Sequence, residues 1–344
     1  MNRRSHCLKV FCLGMTVAML SGGCSGETGG NGETGRIGGI DNKNNETGIS
    51  IEEKSSQTAT GIVNVKEDAA SKPRETEDAG WESVEPENAE TEEADWSGYF
   101  DGLNGAAVIY DASDRRYQVF HGELADTRRS PCSTFKIVSS LIALENGILE
   151  PGHSTRAWSG EVFWNEKWNR DIDFEDAFRE SCVWYFRELA DEIGQETMQR
   201  ELEKLSYGNC DCSDWEGRLN TNNNNRALTG FWLESSLAIS PKEQAEVMER
   251  IFGEDSVYSE ETKEELRRVM AVTEQTKVPI YGKTGMGKAE GVVVDAWFTG
   301  FAQGREGNVY FCVYSREQRA KYPHSCGYLV TAARVNIPLL TAGH

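Results

Sequence analysis

Histidine is scarce in this chain, with five residues scattered over 344. The one Cys-x-Cys pair, Cys210-Asp211-Cys212, is joined by no second C-x-C and no H-x-x-x-H, so the ligand spacing of a zinc site is missing and no metal is expected. Basic residues are in the minority, 36 against 56 acidic, for a formal net charge of −20. No basic stretch is interleaved with aromatics, which argues against nucleic-acid binding. The apolar run from Val10 to Leu20 is too short to span a bilayer comfortably. There is no internal repeat.

That short run does fit an export signal. Residues 1–23 have a basic start (Arg3, Arg4, Lys9), an apolar centre and small residues at the end, the pattern of a secretory signal peptide. Leu20-Ser21-Gly22-Gly23-Cys24 resembles a lipoprotein processing site, which would make Cys24 a lipidated N-terminus at the outer face of a membrane. Simple secretion and a retained anchor are the alternatives. Residues 25 to 96 carry 18 acidic and 6 basic side chains and almost no aromatics. Such a stretch buries too little apolar surface to offset its chain entropy, so a disordered acidic tether is expected over 24–94. A folded domain then occupies 95–344. Its six cysteines are Cys132, Cys182, Cys210, Cys212, Cys312 and Cys326, and export would allow them to pair, although spacing fixes no pairing.

Ser133-Thr134-Phe135-Lys136 places a hydroxyl and an amine one helical turn apart, just after Pro131 and before an apolar run. On its own this S-x-x-K reads as a capping serine and a snorkelling lysine. Three further tripeptides follow in order: Ser181-Cys182-Val183 at the start of a helical pattern, Tyr207-Gly208-Asn209 in a turn, and Lys283-Thr284-Gly285 at the end of a strand read over 277–284. S-x-x-K with a later K-T-G marks serine enzymes that react with penicillins. The remaining patterns give a hairpin over 106–111 and 117–121, helices from 133 to 205, and a helix start at Ser240-Pro241-Lys242-Glu243. Another helix starts at Ser259, strands follow at 291–302 and 308–315, and an apolar segment, 328–340, closes the chain. That order predicts an α+β domain: an antiparallel sheet whose first and last elements meet, flanked by helices, with a mostly helical subdomain.

The chain resembles the class D β-lactamases, the oxacillinase group of serine β-lactamases. Beyond the four tripeptides, the likeness rests on Pro131–Leu149, Trp168–Ala190, Phe231–Gln244 and the Trp297-Phe298-Thr299-Gly300 run. Class A enzymes carry S-D-N where this chain has S-x-V. The resemblance implies a penicillin-binding-protein-like transpeptidase fold and hydrolysis of β-lactam antibiotics. Ser133 would be the nucleophile and Lys136, carbamylated by carbon dioxide, the base. Trp232 would hydrogen-bond the carbamate, Ser181 would relay a proton, and Lys283 would keep the site electropositive. Val183, Tyr207, Thr284, Gly285, Met286 and Arg334 would bind substrate, the backbone N–H groups of Ser133 and Met286 forming the oxyanion hole. No cofactor beyond the carbamate is implied.

Two other functions share these motifs. A β-lactam sensor domain acylates and stalls, and in that family it follows several membrane spans and a metalloprotease region, which the segments read here do not resemble. A D,D-transpeptidase or carboxypeptidase shares S-x-x-K and K-T-G but not usually the F-W-L-E stretch. The Asn- and Cys-rich segment between Asn209 and Phe231, and Met286 where an aromatic is common, depart from the class D pattern.

Overall fold

Lys136–Ala143 presents apolar or small side chains on every face apart from the lysine itself, and a helix without a polar face belongs in an interior. The structure, a computed structural model, describes residues 89–100, 102–219, 224–272, 278–289, 292–304 and 307–316. In chain order its elements are β1 (Glu90–Glu93), α1 (Ser97–Phe100), β2 (Asn104–Asp111), β3 (Arg116–Phe120), α2 (Gly122–Ala125), α3 (Lys136–Glu145), α4 (Phe174–Arg179), α5 (Val183–Ile193), α6 (Gln195–Lys204), α7 (Pro241–Phe252), α8 (Glu260–Met270), β4 (Ile280–Ala289), β5 (Val292–Gln303) and β6 (Asn308–Arg316). Every residue of α3 from Lys136 to Ala143 is buried, and the helix packs against α5 and α8. It ends at Asn146 and Gly147, the glycine in the left-handed conformation that a C-terminal cap requires.

The six strands form one sheet in the order β1-β3-β2-β6-β5-β4. β2 lies antiparallel to both β3 and β6, running from Asn104 opposite Arg316 to Asp111 opposite Val309. The first hairpin and the last described strand are therefore neighbours, as the element order predicts. One face, including Val108, Tyr110, Trp297 and Tyr314, packs into the main core with the helices. The other carries a second cluster around Phe100, Ile109, Phe298 and Phe311, so β2 is buried on both sides rather than alternating. The expected capping box closes α7: Glu243 N–H donates to Ser240 Oγ and Ser240 N–H donates to Glu243 Oε2, at 3.2 and 2.8 Å. Ser259 Oγ accepts from Thr262 N–H at the start of α8.

Three expectations need correction. The sheet is mixed, because β1 pairs in parallel with β3. β1 also falls inside the stretch assigned to the tether, so ordered structure starts before residue 95; its four exposed residues carry no apolar signal and are held by backbone pairing alone. The K-T-G strand continues past Gly285 to Ala289, because β5 pairs along its whole length. The signal peptide, Cys24, residues 24–88 of the tether, Cys326, the apolar C-terminal segment and Arg334 lie outside the described residues.

Candidate active site

Ser133 stands on a 3-10 turn, Cys132–Phe135, that runs directly into α3. The turn is pinned by Pro131, whose carbonyl accepts from the Thr134 hydroxyl at 2.7 Å and the Thr134 N–H at 3.2 Å. Cys132 has φ of +50°, uncommon for a residue with a side chain, and its N–H donates to the Trp232 carbonyl at 3.0 Å. One turn on, Lys136 Nζ donates to Ser133 Oγ at 3.1 Å. The i, i+3 spacing thus delivers the amine to the hydroxyl.

Lys136 is 1% exposed, and its Nζ lies 5.0 Å from the centre of the Phe186 ring. No carboxylate pairs with it among the described residues. Desolvation pushes its amine down to about 8, with the Cys182 and Cys132 sulfurs acting in the opposite direction. At that value about a tenth of the population is neutral at pH 7. Trp232 is 1% exposed and stacks on Phe135, the residue before Lys136 in the chain, ring centres 5.8 Å apart. Its indole N–H is buried with no hydrogen-bond partner among the described residues. A buried donor left unpaired costs about 1–3 kcal/mol, so an acceptor brought within its reach would be stabilised by it.

Ser181 occupies the left-handed conformation, φ +54°, at the entry to α5, where Cys182 rather than Ser181 is the cap residue. Lys283, in β4, donates to Ser181 Oγ at 2.5 Å and to the Thr284 carbonyl at 3.1 Å. A hydroxyl that accepts from an ammonium keeps its own proton available to donate. The sheet edge reaches this turn because of Gly285: a Cβ there would meet the Pro131 carbonyl oxygen at 2.9 Å and Thr134 Cγ2 at 3.0 Å. Glycine is the residue that lets β4 lie against the turn carrying Ser133.

The two serines open into one cleft of about 380 Å³, with Val183, Thr284, Gly285 and Met286 on its walls. Tyr207 is not among them, which corrects its assignment to substrate binding. It is 1% exposed, packed edge-on against Phe135 at 5.6 Å behind the nucleophile turn, and burial pushes its phenol up. The cleft also takes in Trp164, Trp168, Arg179, Leu233, Glu234 and Lys288, none of which the sequence reading named as site residues. Counting by twos along β4 from Thr284 reaches Met286 and Lys288, so strand periodicity held that signal. Nothing comparable marked Trp164, an exposed tryptophan on a loop. Cys132, Cys182, Cys210, Cys212 and Cys312 are free thiols. Among the described residues no group of three or more His, Cys, Asp or Glu converges as metal ligands would.

Comparison with known proteins agrees with this geometry. The family model described as the penicillin binding protein transpeptidase domain matches residues 101–327. A probable β-lactamase of Bacillus subtilis, YbxI, is 32% identical over 212 residues, covering 62% of this chain and 74% of that protein. The regulatory protein BlaR1 of Bacillus licheniformis is 28% identical over 229 residues, which is 66% of this chain but only 36% of BlaR1. Among solved structures, a class D β-lactamase from Bacillus subtilis superposes with a TM-score of 0.60 at 29% identity, over 71% of this chain and 93% of that one. With S-x-x-K, S-x-V and K-T-G all inside the matched span, and Ser133, Ser181, Val183, Thr284 and Gly285 of them lining one cleft, the chain belongs to the penicillin-binding-protein transpeptidase family.

Proposed function

We propose that this protein hydrolyses the β-lactam ring of penicillin-type antibiotics through an acyl-enzyme on Ser133, with Lys136 as the base in its carbamylated form. The observation that carries the reading is a fully buried lysine within hydrogen-bonding distance of a cleft serine, together with a buried indole N–H, on the tryptophan stacked against the preceding Phe135, that has no partner among the described residues. A neutral amine attacks carbon dioxide and releases its proton, and desolvation of Lys136 favours that neutral form. When present, the carbamate supplies a carboxylate-like oxygen as base for acylation and for deacylation. Trp232 would hold it through the indole N–H.

Ser133 Oγ attacks the lactam carbonyl as its proton passes to the Lys136 side chain, forming a C–O bond and an oxyanion. The backbone N–H groups of Ser133 and Met286 are the proposed donors to that oxyanion. The C–N bond then breaks, Ser181 passes its proton to the leaving nitrogen while Lys283 keeps the hydroxyl oriented, and the proton taken up at Lys136 replaces the one Ser181 gave, which frees Lys136 as a base again. Water, deprotonated at Lys136, attacks the ester and frees Ser133. Thr284 and Arg334 are proposed to receive the substrate carboxylate. The same reading takes residues 1–23 as an export signal, Cys24 as the lipidated N-terminus and the cell envelope as the place of action.

The test is carbon-13 NMR after addition of labelled bicarbonate, combined with activity before and after acid treatment and degassing. A carbamate resonance, and activity restored by bicarbonate, support the reading. A degassed enzyme that is fully active and shows no such resonance overturns the role of the carbamate. The similarity to BlaR1 supports a second reading, a β-lactam-binding regulator that acylates without turnover. Steady-state turnover of a chromogenic cephalosporin separates the two.

A further inference from the structure

Glu234, in the cleft wall, has φ of +55°, a conformation that glutamate rarely adopts and that persists only where its surroundings over-determine it. Those surroundings are a chain of hydrogen bonds. Glu234 N–H donates to Ser130 Oγ at 2.9 Å, and the Ser130 hydroxyl donates to the Trp232 carbonyl at 2.8 Å. That carbonyl also accepts the Cys132 N–H, at 3.0 Å. At the other end, Glu234 Oε1 accepts the Lys288 N–H at 2.6 Å, beside the register shift between Gly287 and Lys288 in β4. A carboxylate acceptor makes this a charge-assisted bond, stronger than a ladder bond between neutral peptides.

Glu234 and Ser130 thereby join three segments that must agree for the site to work. The first is the stretch entering the Ser133 turn, where the amide after Cys132 is that of Ser133. The second is the main chain of Trp232, which sets where its indole sits. The third is the far end of the strand that carries Thr284 and Met286. We propose that Glu234 and Ser130 are positioning residues, a brace that fixes the Ser133 turn against the K-T-G strand and speeds acylation without touching the reacting atoms. The proposal rests on the acyl-enzyme reading above. It does not depend on whether the acyl group is later released.

The experiment measures the rate of covalent labelling of the full chain by a fluorescent penicillin, resolved into a dissociation constant and a maximal acylation rate. Glu234→Ala, which loses one charge-assisted hydrogen bond, and Ser130→Ala, which loses two neutral ones, should each lower the maximal rate about ten- to a hundredfold, with little change in the dissociation constant. Glu234→Gln keeps an oxygen acceptor for Lys288 N–H and should recover most of the rate, as should Ser130→Thr. Wild-type labelling rates in both alanine variants would overturn the brace, and so would equal slowing by Gln and Ala at position 234. If Glu234→Ala does not fold, Ser130→Ala with its threonine rescue decides the matter alone. A wild-type chain that takes no label on Ser133 would overturn the acyl-enzyme reading itself, and the brace with it.

Discussion

Lys283 Nζ lies 2.5 Å from Ser181 Oγ, joining residues 102 positions apart and fixing the edge of the sheet to the start of α5. Lys283 is 5% exposed and 5.7 Å from the Phe178 ring, so the Ser181 hydroxyl and the Thr284 carbonyl serve it as acceptors inside the protein. Removing the hydroxyl takes one hydrogen bond from a buried lysine and the tie between β4 and α5 with it. Ser181→Ala should therefore cost about 1–3 kcal/mol of stability in addition to slowing acylation. Chemical denaturation and penicillin labelling, run on the same preparation, would check this. A variant as stable as the wild type would show that Lys283 has equivalent acceptors elsewhere.

Lys136 should trade stability for function. Below about pH 8 the lysine is protonated in both folded and unfolded chains, and the folded state carries the full cost of burying the charge. Between about 8 and the ordinary value of 10.5 the folded chain sheds the proton first, so stability should rise with pH across that window. Lys136→Met, similar in length and uncharged, should be more stable than wild type at pH 7 by about 1–3 kcal/mol in degassed buffer, and inactive. Denaturant midpoints at pH 7 and pH 10 measure both effects. A less stable methionine variant would mean that the charge is better solvated than its burial implies.

Gly285→Ala tests the contact between strand and turn. The added methyl meets the Pro131 carbonyl oxygen at 2.9 Å, closer than Cβ atoms come to backbone. Either β4 or the Ser133 turn must shift, at a cost of roughly 1–3 kcal/mol. The expected result is a lower melting temperature together with slower labelling of Ser133. Labelling at the wild-type rate would show that the site tolerates the displacement.

Trp232→Phe keeps the stack on Phe135 and removes the N–H. Its stability should stay within about 1 kcal/mol, because the lost donor has no partner among the described residues. Its activity should need more added bicarbonate than the wild type does. An unchanged bicarbonate dependence would place the indole N–H outside the chemistry.

How much of this was legible in the sequence depends on the kind of contact. Ser133 and Lys136 meet through the local period of a helix, and the Ser240–Glu243 capping box is written in four consecutive residues, so both could be read from spacing. Lys283 and Ser181 are joined only by tertiary packing, and the family resemblance, not spacing, put them in one site. The backbone of Cys132, Ser181 and Glu234 left no trace, because a positive φ is usually announced by glycine or asparagine and none of the three is either. Tyr207 was put at the substrate by the resemblance alone, and its burial against Phe135 is tertiary packing that no local pattern shows. β1 is four exposed polar residues, a strand made by its neighbour rather than by its own composition.

The central claim is that Ser133 forms an ester with the opened β-lactam and that the same site releases it. Time-resolved intact mass after mixing with a penicillin follows this directly. The account predicts an adduct of the whole penicillin mass, mapped to the peptide containing Ser133, that appears and then decays to free protein as hydrolysed penicillin accumulates in many-fold excess over enzyme. An adduct on Ser133 that forms once and persists, with product never exceeding one equivalent, would contradict it.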